Sequence, residues 1–122
     1  MFEVTVRKDF EASHALRDYR GGMEAPHSHS FRCEAAIVSQ TLDSAGCAID
    51  FAAVDEALSR ALAPLVGASL ENSPLFLNSS PSAENLSLYI FKALEEALND
   101  STRRVSKVVV WEDGGHSASY FE

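Results

Sequence analysis

The chain has 122 residues and a mass of 13.3 kDa, with 46% hydrophobic residues, which suits one domain (1–122) around a single core. Ten Lys+Arg against 18 Asp+Glu give a net charge of −8 and a pI near 4.9, so the field of the protein repels polyanions and no nucleic-acid partner is expected. No apolar run approaches the roughly 20 residues that span a bilayer, and Met1 to Phe10 alternates with charges instead of forming a leader's apolar stretch; a soluble, cytoplasmic protein with no membrane partner is the expectation.

From Phe2 to Phe10, Phe2, Val4, Val6 and Phe10 alternate with Glu3, Thr5, Arg7 and Asp9, the period of a strand with one wet face. Arg17 to Pro26 carries Gly21, Gly22 and Pro26 without periodicity and reads as a loop. A second strand is predicted over about His27 to Leu42, with His27, His29, Phe31, Cys33, Ala35 and Ile37 on one face. Asp50 to Leu65 places Phe51, Val54, Leu58, Ala61, Leu62 and Leu65 at helical spacing, with Asp50 as cap. Ser80-Pro81 then supplies an N-cap and first-turn proline for a second helix reaching about Asn99. Its stripe is Leu86, Tyr89, Ile90, Ala93, Leu94, Ala97 and Leu98. Val105 to Glu112 and Ser117 to Phe121, around Asp113-Gly114-Gly115, read as a closing hairpin. The order ββααββ, without repeats or linkers, is that of an α+β domain: a four-stranded antiparallel sheet with both helices on one face. Its two unpaired edge strands predict association with further copies.

Cys33 and Cys47 lie in no Cys-x-x-Cys arrangement and read as reduced structural thiols. The histidines carry more. His27 and His29, two apart on a strand, project to the same side, and unbroken alternation in the first strand brings His14 to that face too. Three neutral imidazoles with a fourth position open form the donor set of a catalytic zinc site; the alternative for a His-x-His pair in a strand is a surface or satisfied core position. A bulge between Phe10 and His14 would undo that parity.

The stretch Phe10-Glu11-Ala12-Ser13-His14-Ala15-Leu16 resembles the Phe-x-Ala-x-His-x-Leu opening of the 6-pyruvoyltetrahydropterin and 6-carboxytetrahydropterin synthase family. His27-Ser28-His29-Ser30-Phe31 resembles its His-Gly-His motif followed by an aromatic. Ile49-Asp50-Phe51, Pro81-Ser82-Ala83-Glu84-Asn85 and Glu112 extend the likeness across the chain. The resemblance implies a T-fold, or tunnelling fold, whose subunits join sheets into a trimeric barrel, two trimers stacking into a homohexamer. It also implies Zn2+ held by His14, His27 and His29, and a pterin anchored by Glu112 with Ser82 lining the pocket. On the residues alone, Glu112 reads as a solvated hairpin carboxylate.

Besides the mild change of glycine to Ser28 inside His-x-His, which does not by itself block metal binding, the chain departs from the family pattern at two catalytic places. Met23 stands where the bacterial enzymes carry a catalytic cysteine, and a thioether has no proton to exchange. Glu24, three residues before His27, matches instead a folate-linked subgroup with a glutamate in that role, the alternative being a plain acidic loop residue. The family's Asp-His pair after the first helix is replaced by Val66 and Gly67. His116, four residues after Glu112, is the candidate substitute, or else an exposed turn histidine. Two functions follow from the resemblance: a zinc-dependent lyase acting on the side chain of a dihydroneopterin-triphosphate-like substrate, with Glu24 and His116 catalytic, or a T-fold homologue that binds a pterin or purine-like ligand without that reaction.

Overall fold

A computed structural model describes residues 1–122. Alternating sequence makes β1 (Phe2–His14) and β2 (His27–Ser39), an antiparallel hairpin whose register holds at every pair from Phe2 opposite Ser39 to His14 opposite His27. No bulge interrupts β1, so the parity of its side chains survives to the last residue. In the connecting loop Asp18 and Arg20 take left-handed backbone angles, φ 55° and 50°, beside a Tyr19–Gly22 bridge. Such φ values suit tight turns.

The helices follow in the predicted order. α1 (Phe51–Leu62) is capped by the Asp50 carboxylate, which accepts from Ala52 N–H at 2.9 Å; Phe51 opens the helix and stays exposed, so the buried stripe begins at Val54. α2 (Ala83–Leu98) starts two residues later than Ser80-Pro81 suggests, with Ser82 as cap accepting from Asn85 N–H at 3.1 Å. The reason is competition for Ser80, whose hydroxyl accepts from Arg17 N–H at 2.6 Å. Two short 3₁₀ turns, Leu70–Asn72 and Pro74–Phe76, join the helices.

β3 (Arg103–Asp113) and β4 (His116–Phe121) complete a sheet in the order β1-β2-β3-β4, with all neighbours antiparallel. The α+β reading therefore holds, element for element. β2 ends at Ser39, short of Leu42, because the Ser39 hydroxyl donates to Thr41 O at 2.8 Å and accepts from Thr41 N–H at 3.2 Å, turning the chain.

Both helices cover one face of the sheet. Phe31, Ile37, Val108 and Val110 from the sheet meet Leu58, Ile90 and Leu94 from the helices, all fully buried. Phe91, outside the predicted stripe, is buried against Tyr120 of β4, ring centroids 4.9 Å apart. Cys33 is in this core and burial pushes its thiol pKa up to about 12, an inert group, whereas Cys47 is exposed. The opposite face is polar, with Arg7, Asp9, Arg32 and Glu34 lining an open cleft beside Trp111. At the outer edge of β1 only the last part is paired, through Gly67 N–H to Glu11 O (2.7 Å) and Ser13 N–H to Ala68 O (3.0 Å). No helix is long and apolar enough to cross a membrane.

Candidate metal and ligand site

The unbroken hairpin sets His14 and His27 directly opposite one another and His29 opposite Ala12. One nitrogen from each of the three rings lies within 4.8 Å of the others. His14 is 1% exposed, and its Nδ1 lies 2.7 Å from the carbonyl oxygen of Pro81. A carbonyl only accepts, so Nδ1 carries the proton and Nε2 carries a lone pair. His27 Nδ1 likewise donates, to Ala25 O at 3.1 Å. The two Nε2 atoms nevertheless face each other at 3.1 Å. With both rings neutral, two lone pairs face one another, an arrangement that either a shared proton or a metal cation between them satisfies. His29 Nε2 is buried beside them with no hydrogen-bond partner; burial also lowers the His29 pKa, which favours the neutral, metal-ligating form. The donor set thus fits a zinc ion, and the backbone carbonyls do what outer partners of metal-bound histidines do: they fix the tautomer.

Glu112 reaches the same cluster, its Oε1 3.3 Å from His14 Nε2. It is placed there by a β-bulge: Trp111 pairs with Ser117 and Asp113 with His116, leaving Glu112 as the extra residue. Bulges commonly re-aim a side chain next to a functional site. Beyond Glu112 opens a cavity of about 260 Å³ lined by Leu16, Ser82, Ala83, His116 and Ala118. Three residues singled out from the sequence, Glu112, Ser82 and His116, therefore meet in one place. Ser82 faces it as the cap of α2, with its hydroxyl proton still free to donate.

Glu24 is held differently. Its carboxylate accepts from Leu16 N–H at 3.2 Å and lies 3.7 Å from His27 Nδ1, on the outer side of that ring and away from the converging Nε2 atoms. It does not line the cavity of Glu112. Met23 and Val66 are exposed, and Gly67, at φ 71°, spends its N–H on the edge of β1.

Arg17 was not anticipated. Its guanidinium donates to the carbonyls of Phe76 (2.5 Å), Ser79 (2.6 Å) and Glu71 (2.6 Å), tying the Leu70–Ser80 segment to the end of β1. The segment leads directly into Pro81 and Ser82, so the arginine sets where both meet the histidines. No sequence pattern announces a side chain that binds only main-chain oxygens. Asp113 was read only as part of the hairpin turn; its carboxylate contact with His116 Nδ1, at 2.8 Å, was not anticipated.

A four-stranded antiparallel sheet backed by two helices, with three histidines converging at one end, defines a T-fold subunit of the pterin-synthase class. The family model described as 6-pyruvoyl tetrahydropterin synthase matches residues 3–122, and the chain belongs to that family. It is 32% identical over 102 residues to a 6-carboxy-5,6,7,8-tetrahydropterin synthase of Synechocystis sp., covering 80% of this chain and 78% of that protein. In fold it is similar to the 6-pyruvoyl tetrahydropterin synthase of Caenorhabditis elegans, with TM-score 0.82, 18% identity, and 100% and 97% of the two chains covered. A Plasmodium vivax 6-pyruvoyltetrahydropterin synthase variant, in which a glutamate described as a catalytic residue is replaced by alanine, superposes with TM-score 0.78 at 17% identity, over 99% of this chain and 97% of that one.

Replacing Arg17 by Ala removes donors from three main-chain oxygens at once and is expected to destabilise the fold by about 2–3 kcal/mol. Arg17→Lys should recover less than half of that, since an ammonium lacks the guanidinium fork. Urea unfolding midpoints of the two variants against the parent measure it.

Proposed function

We propose that the protein is a zinc-dependent, pterin-binding member of its family that acts as a lyase on the side chain of a dihydroneopterin-triphosphate-like substrate. The observation that carries this reading is the convergence of Glu112 on the histidine cluster at the mouth of a cavity shared with Ser82. An ionised carboxylate there accepts two parallel N–H bonds from the guanidine-like edge of a pterin, a strong, charge-assisted arrangement. Ser82 adds a hydroxyl to the same wall. With the ring so anchored, its side chain extends toward the histidines. What zinc supplies when bound by His14, His27 and His29 is Lewis-acid polarisation of an oxygen. Glu24 is our candidate for accepting a proton from a side-chain hydroxyl, in line with the catalytic glutamate reported for the Plasmodium vivax relative.

A second reading, pterin binding without turnover, is favoured by one observation: the Glu24 carboxylate is already occupied by Leu16 N–H. In both readings we place the protein in the cytoplasm as a homohexamer, two trimers whose sheets join through the free edge of β4 and the unpaired part of β1. Such edges otherwise expose a row of unpaired donors and acceptors.

Four measurements test the proposal. Sedimentation should give a species of about six times 13.3 kDa; a stable monomer at micromolar concentration contradicts the assembly. Zinc at about 100 times its Kd should stabilise the fold by about 2.7 kcal/mol in thermal unfolding, and His29→Ala should lose that response along with the metal seen by elemental analysis. Glu112→Gln presents an N–H donor to the pterin's own donors and should weaken dihydropterin binding by about 2–4 kcal/mol, roughly 30- to 1000-fold, in calorimetry. Glu24→Gln should leave that binding intact and remove turnover, whereas intact turnover refutes Glu24 as the base.

A further inference from the structure

A side-chain cleavage needs two proton movements: one from a hydroxyl as its oxygen becomes a carbonyl, and one onto the carbon left behind. Glu24 answers only for the first. The turn between β3 and β4 holds an Asp–His pair. His116 Nδ1 lies 2.8 Å from Asp113 Oδ1 and 3.1 Å from Oδ2, and the same carboxylate accepts from Gly115 N–H at 2.8 Å. That backbone bond and the His116 contact hold the Asp113 pKa below the usual carboxylate range, so the group stays ionised. An ionised carboxylate only accepts, so the proton on Nδ1 is fixed and Nε2 is the nitrogen left for a ligand. His116 lines the cavity in which Glu112 and Ser82 stand.

Resting on the lyase reading above, we propose that His116 is the proton donor of the site and Asp113 its positioning residue, a dyad supplied from the β3–β4 turn. The step balances without a co-reactant. The hydroxyl O–H bond breaks and its proton goes to Glu24, while the oxygen's electron pair forms the carbonyl. The adjacent carbon–carbon bond breaks and its pair enters the C=N of the dihydropterin ring. That pair then returns to the ring-side carbon as it takes the Nε2 proton of imidazolium His116, leaving a neutral imidazole bonded to Asp113. The high exposure of the His116 side chain, 79%, lets solvent return the proton between turnovers.

His116→Ala and Asp113→Asn are both exposed substitutions at a turn and should leave the fold intact. With dihydroneopterin triphosphate as probe, His116→Ala should lower kcat by about 10²–10⁴-fold, the usual reach of a general acid, and leave calorimetric Kd within about twofold. Asp113→Asn should lower kcat with KM unchanged, and Asp113→Glu should restore part of the loss. Parent-like kcat in His116→Ala overturns the dyad and leaves the lyase reading standing. Binding without turnover in the parent overturns both the lyase reading and the dyad but leaves pterin recognition. Failure of Glu112→Gln to weaken binding overturns recognition itself.

Discussion

Two main-chain oxygens, those of Pro81 and Ala25, decide what the histidine cluster is. Three imidazoles gathered on a strand face can equally form a network of hydrogen bonds among themselves, with one ring's N–H satisfying the next ring's lone pair. Here each carbonyl claims the Nδ1 proton of its histidine, so in the neutral rings both Nε2 lone pairs turn inward at 3.1 Å and neither ring can satisfy the other. The rest of the site is arranged around that constraint. Pro81 must sit where α2 begins, Arg17 holds the segment before it, and Glu112 is brought over by a bulge. A neutral cluster so prepared offers converging lone pairs that suit a cation.

Much of this was legible in the sequence, for a reason that particular residues make clear. The period of a strand is two, so His14, His27 and His29 could be assigned to one face by counting, and an unbroken β1 made the count valid. The Asp50 cap was legible because its partner, Ala52 N–H, is local. What escaped was decided by partners far along the chain. Ser80 looks like a helix cap and lost that role to a backbone amide 63 residues away. Phe91 lies off the helical stripe and is buried because β4 arrives over it. The extra residue at Glu112 changes its environment without changing the pattern of letters around it.

The departures from the family pattern cohere physically. At the position where the family resemblance implies an Asp-His pair, this chain runs Val66-Gly67 along the rim of β1, and the backbone there is spent on pairing: Gly67 N–H and Ala68 O both bond the strand. The left-handed φ of Gly67 permits that path. The segment therefore shields an edge and brings no titratable side chain, while the opposite hairpin turn carries Asp113 and His116.

The bond from His14 to Pro81 spans 67 residues, whereas the three histidines belong to a single hairpin. The two therefore mature on different schedules. A hairpin closes locally within about 1–10 μs, but the carbonyl that sets the His14 tautomer arrives only when both helices have crossed the sheet and α2 has docked. Closing so long a loop is entropically costly and slow compared with local contacts. An isolated two-stranded hairpin is marginally stable at best in water, and until Pro81 docks the His14 ring lacks the carbonyl that fixes its tautomer. Only the completed domain gives the histidine cluster its defined geometry, so that geometry reports whether folding has finished.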